Sequence, residues 1–140
     1  MSFITFLILI VSIIAHEVAH GIAALAQGDP TAKYAGRLTL NPIPHIDMLG
    51  SILLPAFLAM VSPGFMFGWA KPVPINPYNF RNQKWGEAIV AFAGPLTNLI
   101  IAAVFVLLVK FAPISQSFAI FSAYVVIINV VLAIFNLMPI

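Results

Sequence analysis

Cysteine is absent from the chain, which excludes disulfides and thiolate metal sites together. Charge is nearly as scarce. Of the 140 residues 7% are Asp, Glu, Lys or Arg and 62% are hydrophobic, whereas a soluble domain carries about a quarter charged residues. Such a chain has too little polar surface to face water on all sides, so the expected solvent is the lipid bilayer. The formal net charge of +2 is small and no Lys/Arg-rich block occurs, which argues against a nucleic-acid partner. No stretch is long or polar enough to form a second, soluble domain, so residues 1–140 read as a single transmembrane core.

Four apolar stretches approach the roughly 20 residues that cross a hydrocarbon layer: residues 2–26, 49–67, 86–111 and 117–137. In lipid each is expected to be a helix, because an open strand leaves backbone groups unpaired. The first does not read as a cleaved signal peptide. No Lys or Arg precedes its apolar run, and His16, Glu17 and His20 separate that run from the small-residue tripeptide Ala24-Leu25-Ala26. The expected fold class is therefore an all-α polytopic membrane protein of about four transmembrane helices.

The connection 27–48 is rich in breakers: Gly28, Pro30, Gly36, Pro42 and Pro44. Within it Leu38 and Leu40 alternate around Thr39, a pattern that predicts a short membrane-associated strand or β-hairpin over Tyr34 to Leu40. The connection 68–85 carries Pro72, Pro74 and Pro77, with Trp69, Tyr78 and Trp85 suited to the interface. The turn around Pro113 is short enough to make its flanking helices antiparallel neighbours. If all four stretches span, Lys33, Arg37 and Lys110 fall on one side and Lys71, Arg81 and Lys84 on the other. That balance gives no orientation by the positive-inside rule.

The residues most able to do chemistry are His16-Glu17-Val18-Ala19-His20. Residues four apart share a helix face, so both imidazoles can reach one metal ion. Glu17, one position on, can touch a water at that ion without being a ligand. With no cysteine, the ion would be zinc held by His and carboxylate, the donor set of catalytic sites. The setting sharpens the signal, since a charge inside an apolar span costs on the order of 2.5–3.5 kcal/mol. Three ionisable groups in five residues need a compensating partner. The alternative is that they are solvated at the helix end, as Gln27 and Gly28 follow soon after.

Asn98, in Gly94-Pro95-Leu96-Thr97-Asn98, and Asn136, in Asn136-Leu137-Met138-Pro139, place amides beside prolines in apolar helices. They can serve as helix–helix hydrogen bonds at a kink, or as a polar lining that holds a substrate backbone. His45 and Asp47 lie in a loop, where solvated or capping roles are commoner than ligation. Glu87 opens the third long stretch as the expected anion at a helix N-terminus. Gly64 and Gly68 have helix-packing spacing, weakened by the flanking Pro63 and Trp69.

Taken in order, these motifs resemble the site-2 protease family of intramembrane zinc metalloproteases. The likeness covers nearly the whole chain: the zinc motif in a membrane helix, Gly94-Pro95-x-x-Asn98, and Asn136-x-x-Pro139. The stretches Leu40-Asn41-Pro42-Ile43-Pro44-His45-Ile46-Asp47 and Gly68-Trp69-Ala70-Lys71-Pro72-Val73-Pro74 resemble its small bacterial members without a PDZ domain. The resemblance implies zinc held by His16 and His20, Glu17 as general base, and Asn136, with Asn98 second, positioning the scissile peptide. It also implies a multi-pass protein of a bacterial cell membrane whose partner is a membrane-protein substrate. The family's third zinc ligand, an Asp after the last motif, would fall beyond Ile140, so the core is expected to be incomplete at its C-terminus. Asp47 is a remote substitute. Two other classes compete: a metal or ion transporter using the same His and Glu residues, and a non-catalytic fragment or pseudoprotease.

Overall fold

The computed structural model describes residues 3–61, 72–112 and 115–137. In chain order its α-helices are α1 (Phe3–Ala26), α2 (Thr31–Tyr34), α3 (Leu54–Val61), α4 (Gly86–Phe111) and α5 (Gln116–Leu137). A π-helical stretch, Met48–Leu53, leads into α3. Three of them, α1, α4 and α5, are long and apolar enough to cross a membrane. At about 1.5 Å per residue each exceeds the roughly 30 Å of a hydrocarbon core. The chain is an integral membrane protein.

Its distribution of side chains is that of a protein dissolved in lipid. Phe6, Val11, Phe92, Ile100, Ile127 and Ile134 are exposed, whereas Ser12, His16, Asn98, Ser122 and Asn129 are buried. Apolar groups lose nothing by facing acyl chains, and polar ones find partners only between helices. The buried positions recur about every four residues: Ile8, Ser12 and His16 on α1, and Gly86, Val90, Gly94, Asn98 and Ala102 on α4. Glycine and alanine in such rows let the helix backbones approach closely.

Contacts along these rows fix the directions. His20 meets Val90 and Ser12 meets Asn98, so α1 and α4 are antiparallel. Asn98 meets Asn129, and Phe105 packs on Phe118 and Phe121, so α5 runs back along α4 and parallel to α1.

This arrangement corrects the four-span expectation. Because α1 and α4 are antiparallel, the chain leaves α1 and enters α4 at the same end of the bundle, so residues 27–85 make no net crossing. The stretch expected as a second span appears as Met48–Leu53 and α3, with the remaining residues 62–67 outside the described part. Trp69, Lys71, Pro63, Gly64, Gly68 and Pro113 also lie outside the described residues. The two groups of basic residues expected on opposite sides are affected as well. Lys33 and Arg37 share an end with Arg81 and Lys84, and Lys110 lies at the far end of α4.

The hairpin expectation is also corrected: there is no strand among the described residues, Tyr34 being the last residue of α2 and residues 35–40 turns and bends. Gly36, at φ +72°, closes α2 with the paired bonds of a Schellman cap, Gly36 N–H to Lys33 O and Arg37 N–H to Ala32 O. That cap ties the segment back on α2 just where the strand should begin. Beyond it, Thr39 O accepts from His45 Nε2 and Thr39 Oγ1 accepts from Asn41 N–H. Side chains take the backbone groups that a ladder would use.

Gly28, at φ +100°, ends α1 in the same way, with Gly28 N–H to Leu25 O and Asp29 N–H to Ala24 O. The turn delivers Asp29, fully buried, into the other connection. Its carboxylate accepts from Thr31 N–H and Oγ1, from Asn76 N–H at 2.7 Å and from Asn79 Nδ2 at 3.1 Å. Burial pushes this carboxyl's pKa up, but the hydrogen bonds from Thr31, Asn76 and Asn79 outweigh it and hold the pKa below its ordinary value. Alongside, Arg81 N–H donates to Gln27 O, and Phe80 packs on Ala24 and Val90. The two connections form one cap over the end of the α1–α4 pair.

Candidate metal centre

His16, Glu17 and His20 sit in the second half of α1, where the apolar run makes an uninterrupted helix. One turn separates the histidines, and their rings meet edge to face with centroids 4.6 Å apart. The two Nε2 atoms are 3.0 Å from one another. Potential ligand atoms of His16, Glu17 and His20 all lie within 4.8 Å of each other.

Hydrogen bonds farther from the site determine which ring nitrogen of each histidine carries the proton. Asn129 donates through Nδ2 to the Val125 carbonyl at 2.9 Å and to Ser12 Oγ at 3.0 Å, so its Oδ1 is left facing Asn98. Asn98 therefore turns its own Nδ2 toward Asn129 Oδ1, at 2.9 Å, and toward the Ser12 carbonyl, at 3.3 Å. Its Oδ1 then faces His16 Nδ1 at 2.6 Å, and only Nδ1–H can satisfy it. The Val90 carbonyl makes the same demand on His20 Nδ1, also at 2.6 Å. A backbone carbonyl cannot donate. Both Nδ1 atoms are thus donors, and in the neutral rings both Nε2 atoms present lone pairs.

Two lone pairs 3.0 Å apart repel unless a shared proton or a metal ion sits between them. Two nitrogens about 2.0–2.1 Å from one tetrahedral zinc ion stand roughly 3.3 Å apart, close to the separation found. Metal-bound histidines almost always donate their other ring N–H to a fixed acceptor, as both do here. The donor set fits a divalent metal such as zinc. Asp47 does not join the group.

Glu17 stands beside the pair, and its Oε2 accepts from Val73 N–H at 3.3 Å. That contact brings residues 72–76, which have no regular secondary structure, across the carboxylate. Arg37, buried nearby, donates Nη1–H to the Pro72 carbonyl at 3.0 Å and Nη2–H to His45 Nδ1 at 3.0 Å. Burial holds the Arg37 pKa below its ordinary value, an effect the Glu17 carboxylate only partly offsets, and the guanidinium stays charged.

Of the other residues singled out in the sequence, Asn98 belongs to the centre through His16. Asn136 is exposed and donates to its own helix at Leu132 O, 2.7 Å away. Since α1 and α5 are parallel and Asn129 lies beside Ser12, Asn136 is about 10 Å farther along, level with the histidines and, two turns after Asn129, on nearly the same face of α5. His45 is buried against Arg37 and Thr39 rather than solvated. Glu87 lies in the first turn of α4. Two contributors were not apparent in the sequence: Ser12, one turn before His16 on the same face, and Asn129, an amide in an apolar helix without the nearby proline that marks Asn98 and Asn136.

A Bacillus subtilis (strain 168) protein named "Putative zinc metalloprotease YwhC" is 41% identical to this chain over 140 residues, a match covering 94% of the chain and 60% of that protein. The chain thus spans less than two thirds of the relative's length. No family model matches the sequence. No solved structure matches it.

Proposed function

We propose that this chain is the zinc-binding core of an intramembrane metalloendopeptidase of the site-2 protease type, cleaving peptide bonds in or near transmembrane segments of other proteins in a bacterial cell membrane. The observation that carries the reading is the pair of Nε2 lone pairs held 3.0 Å apart beside Glu17 inside an apolar helix. The name of the Bacillus subtilis relative agrees with zinc-dependent proteolysis.

A bound zinc ion supplies Lewis acidity, which polarises a carbonyl and makes water a stronger acid. Asn98 and Val90 hold the two imidazoles in the tautomer that leaves Nε2 free. The Glu17 carboxylate accepts a proton from the attacking water as its oxygen bonds to the scissile carbonyl carbon. It then returns that proton to the leaving nitrogen as the C–N bond breaks. Residues 72–76, which meet Glu17 through the Val73 N–H, would flank a peptide brought to the carboxylate.

Reconstitution of the protein with a membrane substrate tests the reading. Glu17→Gln is expected to retain the metal and lose proteolysis, because an amide fills the same space without accepting a proton. Wild-type cleavage by that variant would remove Glu17 from the chemistry. A large loss of metal instead would make it a ligand.

A further inference from the structure

We infer that Gly94 is a positioning residue of the metal centre, its missing side chain leaving open the space in which the two histidine nitrogens converge. The inference rests on the metal reading above. A Cβ built on Gly94 would lie 2.6 Å from His16 Nε2, 2.6 Å from His20 Nε2 and 2.7 Å from His16 Cε1. These are its three nearest atoms, and real Cβ atoms essentially never come under 3.0 Å. The crowding is specific to the site, since the atoms that would be struck are the two with free lone pairs and their immediate neighbour, rather than the backbone of α1.

Neither ring has an easy way out. His16 is tied at Nδ1 to Asn98 and His20 to the Val90 carbonyl, both on α4 and on either side of Gly94. A methyl group at position 94 must therefore break one of those bonds or fill the space beside both nitrogens. Either result costs metal affinity. Glycine inside a helix is about 1 kcal/mol less favourable than alanine, so alanine would be the better residue here if packing of α4 alone decided. The α4 row already holds Ala102 at an equivalent buried position.

The test uses the full chain in detergent micelles and four forms: wild type, Gly94→Ala, His16→Ala/His20→Ala, and the triple variant. Zinc affinity is measured by chelator competition, site geometry by the visible spectrum of the cobalt-substituted protein, and metal-free stability by thermal unfolding in chelator. Wild type is expected to take about one zinc, and Gly94→Ala to bind it roughly 10- to 100-fold more weakly with an altered cobalt spectrum. Without metal, Gly94→Ala should lower the unfolding temperature when the histidines are present and leave it unchanged or raised when they are alanine. Wild-type zinc affinity and an unaltered spectrum in Gly94→Ala would overturn the inference while leaving the metal reading intact. Equal destabilisation with and without the histidines would make Gly94 a packing glycine and also overturn it. If wild type itself bound no zinc, the metal reading would fail and take the role of Gly94 with it.

Discussion

Nε2 of His16 and Nε2 of His20 face one another across 3.0 Å while both Nδ1 atoms are committed to acceptors on α4. The pair is arranged to share a cation. His16→Ala or His20→Ala should each abolish stoichiometric zinc in the purified protein, whereas Asp47→Ala, outside the group, should leave it unchanged. Metal analysis after dialysis against dilute chelator reads the difference. Equal zinc in wild type and His16→Ala would remove these residues as ligands.

Asn98 fixes His16, and Asn129 fixes Asn98. Asn98→Ala leaves His16 Nδ1–H without its acceptor, and substitutions of this kind lower metal affinity about 10- to 100-fold. Asn129→Leu should have a smaller effect, because Asn98 keeps its bond to the Ser12 carbonyl. Since Asn129 acts through Asn98, the two losses should not add in the double variant. Additive losses in chelator competition would mean that Asn129 acts by another route.

How much of this was legible in the sequence depends on the range of each interaction. His16, Glu17 and His20 could be grouped because the helical period brings residues four apart to one face, whatever surrounds them. Asn98 could be noticed, as an amide in an apolar run, but not assigned, because its partners lie 82, 86 and 31 residues away. Asn129 and Ser12 were hidden for the same reason. The strand expected at Tyr34 to Leu40 failed on a local feature: the alternation of Leu38 and Leu40 counted for less than Gly36, whose left-handed conformation caps α2. The four-span count failed on topology, since apolar length identifies a stretch that can cross and not one that does. Asn136 was proposed for the site by resemblance; two turns after Asn129 it continues that residue's face of α5, exposed and bonded to its own helix at Leu132 O.

Asp29 gives the cap over the α1–α4 pair a pH dependence with a definite sign. Its hydrogen bonds to Thr31, Asn76 and Asn79 hold the folded pKa below the ordinary value of 3.8. The stabilisation is therefore complete above that value and is lost as pH falls through the lower, folded pKa. Asp29→Asn should destabilise the protein at pH 7 by on the order of 3 kcal/mol, the scale of hydrogen bonds to a charged group. The gap between the two proteins should narrow in acid. Thermal unfolding in micelles from pH 7 to pH 3 tests this, and a gap that widened toward acid would reverse the sign.

The antiparallel pairing of α1 with α4 also gives an orientation. It gathers Lys33, Arg37, Arg81 and Lys84 at the end where α1 stops and α4 starts, and leaves Lys110 at the opposite end. Excess Lys and Arg in short connections marks the cytoplasmic side, and acidic residues such as Asp29 and Glu87 count little. The end nearest Glu17 should therefore face the cytoplasm, with the start of α1 outside. Because the chain has no cysteine, one introduced thiol gives an unambiguous readout. Lys84 and Lys110 are both exposed, so each can be replaced without disturbing the bundle. In intact cells a membrane-impermeant maleimide should label Lys110→Cys and reach Lys84→Cys only after lysis. The reverse pattern would invert the protein in the membrane. Labelling of both from outside would mean that α4 does not cross the membrane in one fixed direction.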